Sequence, residues 1–118
     1  MKLTMKEQER LMIWSVAEIA RRRWKRGVKL NYVEATAIIC DELLERAREG
    51  NCSLAELVEA GSMIITEEDV MEGTPALTSA IQLEVMLPDG NKLVSVNDPI
   101  RLEKRAEAIP VNELVSMR

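Results

Sequence analysis

Histidine is absent from this 118-residue chain. That removes the commonest general base, a usual triad member and the commonest metal ligand. The two cysteines, Cys40 and Cys52, are too few for a structural zinc site without histidine, and they do not form a C-x-x-C pair. Phenylalanine is missing as well, and aromatic residues amount to 3%, so Leu, Ile, Val, Ala and Met must build the core. No apolar run approaches the roughly 18 residues that a membrane-spanning helix requires. Met1 to Arg10 is charged and lacks the apolar centre of a secretory signal. With two unpaired-looking thiols and no signal, a reducing cytoplasm is the simplest compartment. Carboxylate or lysine chemistry stays open, but a histidine-free chain is a poor candidate for an autonomous enzyme.

What is present suits one domain with one core. Apolar residues make up 47% and charged residues 31%, with 16 basic against 20 acidic for a net charge of −4. An acidic balance argues against a dedicated nucleic-acid binder.

A first helix is predicted over Met5–Arg26. Thr4 and Glu7 fit a capping box, Leu3 can staple it, and Gly27 suits the position after its end. Leu11, Trp14, Ala17 and Trp24, with Ile13 and Ala20 beside them, form its core-facing stripe. Arg21, Arg22, Arg23, Lys25 and Arg26 crowd its last turns. They read first as dipole complements on a solvated face, second as a partner-docking surface, and last as a nucleic-acid contact.

Asn31 and Glu34 repeat the capping box and start a second helix ending at Gly50. Its apolar face is Ala35, Ile38, Ile39, Leu43 or Leu44, and Ala47. The short link Gly27 to Leu30 predicts antiparallel packing of the pair. Asp41, Glu42 and Glu45, alternating with Arg46 and Arg48, read as a wet face with a Glu42–Arg46 pair. Cys40 reads as a small core residue and Cys52 as an exposed turn residue. Ser53 and Glu56 open a short third helix, with Leu54, Leu57 and Val58 on its buried side and Gly61 at its end. After the extended run Met63, Ile64, Ile65, Thr66 caps a fourth short helical turn through Val70. Glu67, Glu68 and Asp69 are better explained by the helix dipole than by a hard cation, because neighbours on a helix point apart. Gly73 and Pro75 then stop the helical pattern.

The period changes from 3.6 to 2 at Ile81. Ile81, Leu83, Val85 and Leu87 alternate with polar neighbours, Pro88-Asp89-Gly90-Asn91 signals a turn, and Lys92 to Val96 return. A lone hairpin is marginal in water, so it must lie on the helices or extend a partner's sheet. The fold class is therefore α+β: a small helical bundle of two long and two short helices followed by an antiparallel hairpin. Residues 101–118 read as a C-terminal tail that a partner could order.

Several strings, in this order and spacing, resemble the urease gamma-subunit family. Leu3-Thr4 with Glu7 looks like its opening, and Arg26-Gly27-Val28-Lys29-Leu30-Asn31-Tyr32-Val33-Glu34-Ala35 like its R-G-x-K-L-N-Y-P-E-A segment. Val70-Met71-Glu72-Gly73 looks like V-M-E-G. Ile81-Gln82 through Pro88-Asp89-Gly90 and Lys92-Leu93-Val94 look like its hairpin. The resemblance covers residues 1–100 and implies the same α+β fold. Departures are Val33 for a usual proline, Ser62 for arginine, Asn97-Asp98 for His-Asn or His-Gln, Thr74-Pro75-Ala76-Leu77 for V-P-E-M, and the residues past Ile100.

The resemblance implies a non-catalytic structural subunit of urease, which hydrolyses urea to ammonia and carbamate at a two-nickel site in its alpha subunit. It implies packing against alpha and beta subunits in a trimer of heterotrimers, with no cofactor or metal held by this chain. Nucleic acid and membrane are not expected as partners. The hairpin edge at Leu93 and Val94, Tyr32, and the basic helix end at Arg22 and Arg26 are the expected partner-facing residues. The runner-up is a stand-alone assembly or regulatory module that keeps the fold without urease activity.

Overall fold

Three reciprocal caps set the helix starts in the computed structural model, which describes residues 1–117. The Thr4 hydroxyl accepts the Glu7 N–H at 3.2 Å, and the Glu7 carboxylate accepts the Thr4 N–H at 2.8 Å. Asn31 with Glu34 and Ser53 with Glu56 repeat this exchange. They open α1 (Met5–Lys25), α2 (Tyr32–Glu49) and α3 (Leu54–Gly61). Gly50, with φ 77, ends α2 in a left-handed conformation that costs glycine no Cβ clash.

α2 is the central post. Ala35, Ile38, Ile39, Leu43 and Ala47 are buried as expected, but so are Glu34, Asp41 and Glu42. A helix covered on nearly every side belongs inside a fold. α1 packs along one flank, and α3 with the hairpin lies on others. The wet face expected at Asp41 and Glu42 is thus corrected: both are buried, Asp41 answered by Arg10 and Arg21 of α1, and Glu42 by Arg46 of its own helix and the Val115 N–H of the C-terminal segment. The stripe of α1 is corrected too. Ile13, Ala17, Ala20 and Trp24 face inward, whereas Leu11 and Trp14 stay about half exposed, because Arg10 and Arg21 take the positions nearest α2. On α3, Leu57 is buried while Leu54 and Val58 sit at its exposed margin.

The turn after Thr66 is a single 3-10 turn, Glu67–Asp69, not an α-helix. Its neighbour Val70 pairs in parallel with Leu30, so the link between α1 and α2 is tied to this turn. Pro75 does not stop a helix but starts one: α4 (Thr74–Leu77) holds it in the first turn, where its missing N–H needs no partner.

Strands β1 (Ala80–Leu87) and β2 (Gly90–Asn97) pair antiparallel, Leu87 opposite Gly90 and Ala80 opposite Asn97. Pro88 fixes a negative φ, so Gly90, at φ 122, takes up the turn's twist. Ile81, Val85, Leu87, Val94 and Val96 are buried against the helices; Gln82, Glu84, Met86, Leu93 and Ser95 face outward. α3 approaches β2 so closely that a Cβ built on Gly61 would stand 2.6 Å from a Val96 methyl.

Residues 101–117 run across the body as a strap rather than standing off it. Leu102, Arg105, Ala108, Val111, Leu114 and Met117 are buried or half-buried, while most residues between them are exposed. This period of three matches the 3-10 turns at Arg105–Glu107, Val111–Glu113 and Val115–Met117. Backbone ties fix the strap: Glu67 N–H to the Leu102 carbonyl, Glu68 N–H to Glu103, and Ile109 N–H to Met63.

Candidate interaction surfaces

The seam between α1 and α2 carries a charge ladder. Asp41 accepts Arg21 Nη1 at 2.9 Å on Oδ2 and is ion-paired with Arg10, whose Nη1 stands 2.7 Å from Oδ1. Arg21 also reaches Glu18, Arg10 reaches Glu45, and Arg23 meets Glu34 at 2.6 Å. Arg21, expected on a solvated basic face, is therefore buried, because Asp41 on the facing helix supplies its counter-charge. Glu42 accepts from Arg46 Nε at 2.7 Å, as the i,i+4 spacing predicts, and from the Val115 N–H at 2.9 Å. Carboxylates so engaged have their lone pairs committed, which suits bracing rather than proton transfer. Glu34 titrates below its ordinary 4.5: burial pushes it up, but the Asn31 N–H and the Arg23 guanidinium outweigh that. Glu7 and Glu56 are held low by the Thr4 and Ser53 groups they cap.

Among the described residues no cluster of three or more histidine, cysteine or acidic side chains is placed to hold a metal. The acidic run at residues 67–69 diverges: Glu67 and Glu68 are exposed, and Asp69 is buried. Asp69 Oδ2 accepts the Thr66 N–H at 2.7 Å and the Thr66 hydroxyl at 2.9 Å, so the threonine hydroxyl donates here instead of capping. Its Oδ1 accepts Trp24 Nε1 at 3.1 Å.

The expected partner-facing residues fall at two places. Arg22 and Arg26 are exposed at the end of α1, with Arg22 tied to Glu18 at 3.4 Å, and Tyr32 is 43% exposed at the first position of α2. Leu93 is 59% exposed on the outer face of the hairpin, opposite Glu84, which pairs with Lys6 at the other end of α1. From Lys6 to Arg22 the helix rises about 24 Å, so these are two surfaces and not one patch. Val94 points the other way and is fully buried, so its side chain packs the hairpin onto the body.

Sequence reasoning missed an apolar groove beside Tyr32. Met12, Ile13 and Val16 of α1 and Val33, Thr36, Ala37 and Cys40 of α2 line it. Met12 and Val33 are 61% and 58% exposed, and Met5 and Ile19 extend the apolar flank along α1. The signal was available as Met5, Met12 and Ile19 at intervals of seven, off the stripe first assigned to the core.

The sequence model described as "Urease, gamma subunit" matches residues 1–100, which is every helix and strand of the body. The chain belongs to the urease gamma-subunit family. A urease subunit gamma from Natronomonas pharaonis is 52% identical over 107 residues, covering 91% of this chain and 97% of that protein. Family membership agrees with the α+β order of helices and then a hairpin. The nickel that the family implies finds no suitable donor set among the described residues, since histidine is lacking and the buried acids are taken by guanidinium and N–H groups.

Proposed function

We propose that this chain is the non-catalytic structural subunit of a urease, the nickel enzyme that hydrolyses urea to ammonia and carbamate. The observation that carries this reading is the 52% identity over 97% of a urease subunit gamma, together with the family match over residues 1–100. The chain braces alpha and beta subunits in a trimer of heterotrimers in the cytoplasm, and the alpha subunit holds the nickel. A chain without histidine, whose buried acids are already paired, serves such an assembly as a rigid wedge. Its contact surfaces are Arg22, Arg26 and Tyr32 at one end of the helix pair and Leu93 on the hairpin. An exposed Tyr beside an apolar groove and an arginine pair are the residue types that interface centres favour. The near full-length identity disfavours a stand-alone module. Co-expression with alpha and beta reading frames tests the assignment. Urease activity and complex size should fall when this chain is left out; activity and assembly unchanged without it would overturn the reading.

A further inference from the structure

The body carries a carboxylate, that of Asp69, aimed by groups other than the one that pairs with it. Trp24 Nε1 and the Thr66 N–H and hydroxyl orient the Asp69 carboxylate. Arg105, on the strap, occupies the space in front of it. Its Nη1 donates to Asp69 Oδ2 at 2.8 Å and to the Ile64 carbonyl at 2.7 Å, and its Nη2 donates to the Ile109 carbonyl at 2.6 Å. Its Cζ stands 5.4 Å from the centroid of the Trp24 ring, within cation–π range. Acceptors shared between two terminal nitrogens, one of them a carboxylate, beside an aromatic face suit a planar guanidinium better than the single nitrogen of an ammonium.

We propose that Trp24, Ile64 and Asp69 form a guanidinium-binding pocket, and that residues 101–117 act as a latch keyed by Arg105. Three observations favour a latch over a permanent staple. The strap touches the body mainly at every third residue. The buried Arg105 Nε finds no hydrogen-bond partner among the described residues, so the lock holds one unmet donor. The capped helices and the hairpin, with most of the core, lie before residue 101. While latched, the strap withholds the Trp24–Asp69 face from any partner; on opening, that face presents a ready arginine site. This goes beyond the urease assignment and does not rest on it.

Hydrogen exchange on the full-length chain tests the latch. The amides of Glu67, Glu68, Ile109 and Val115, which tie the strap down, should exchange as one group, ahead of the α2 amides. Arg105→Ala should speed that group about ten- to hundredfold, the loss expected for charge-assisted bonds, and leave Ile38 and Ile39 unchanged. Arg105→Lys should open the latch nearly as far, and millimolar ethylguanidinium should restore protection in the alanine variant without altering the parent. The proposal is overturned if the strap amides do not respond to Arg105→Ala, if α2 loosens with them, if lysine holds as well as arginine, or if ethylguanidinium restores nothing.

Discussion

Arg21 of α1 and Asp41 of α2 meet at 2.9 Å with side chains 4% and 1% exposed, pinning the two long helices near the middle of their shared seam. Arg10 approaches the other carboxylate oxygen, so Asp41 answers two guanidinium groups. Removing the acid leaves Arg21 buried with only Glu18, among the described residues, at 3.3 Å to answer it, while the partly exposed Arg10 keeps Glu45. Asp41→Ala should therefore cost about 3–5 kcal/mol, measured by denaturant unfolding. Replacing Arg21 and Asp41 together by Met and Leu should recover much of that loss, because an apolar pair leaves less uncompensated charge behind. A double variant as unstable as Asp41→Ala would place the penalty elsewhere.

Gly61→Ala probes the closest approach of helix to sheet. The new methyl would meet Val96 at 2.6 and 3.2 Å and Leu43 at 3.4 Å. Overpacking of this kind costs about 1–3 kcal/mol. Adding Val96→Ala clears the space, so thermal unfolding of the double variant should show a combined cost well below the sum of the two single costs.

Stability in acid should depend on Glu34. Its folded pKa lies below the ordinary 4.5. The unfolded chain therefore takes up a proton there first, and the stability Glu34 contributes is present above that range and lost as pH falls through its folded pKa. Glu34→Gln keeps an acceptor for the cap but gives up the pairing with Arg23. Urea titrations from pH 6 downward should show a shallower acid decline in the variant; equal slopes would refute this.

The two thiols should differ in reactivity. Burial first, and the Asp41 charge second, push Cys40 up to about 11, whereas Cys52 is half-exposed. Iodoacetamide at pH 8 should alkylate Cys52 in the native chain and reach Cys40 only after denaturation. Peptide mass spectrometry reads the two sites separately.

Tyr32→Ala and Leu93→Asp should each weaken capture of the urease partners by about tenfold or more, while leaving the thermal midpoint of the isolated chain nearly unchanged. Val94→Ala should do the reverse, lowering the midpoint through the cavity left behind the hairpin. Pull-down and calorimetry together separate the two outcomes.

Local signals were legible in the sequence where the partner lies three residues away. Thr4 with Glu7, Asn31 with Glu34, and Ser53 with Glu56 all announced helix starts, because a reciprocal cap needs no tertiary information. The hairpin was legible for a similar reason: its period and its Pro-Asp-Gly turn are contiguous. Arg21 and Asp41 were not, since nothing in a single helix says that a charge will face its buried complement on the next. The face that α1 turns to α2 carries that pair, and Leu11 and Trp14 are left about half exposed. Pro75 misled because the same residue that halts a helix from within also begins one. The strap read as a tail because its burial repeats every three residues, a rhythm that is neither the 2 of a strand nor the 3.6 of an α-helix. The interface candidates came from residue type and the family likeness, and geometry sorted Leu93 outward from Val94 inward.

The position of Arg105 has a consequence for how the molecule is made. The ribosome completes α1 and the turn bearing Asp69 before it adds the residue that completes their pocket. A nascent body thus passes through a stage with an oriented carboxylate and a bare indole face, and any arginine-bearing neighbour met during that interval competes with the chain's own side chain.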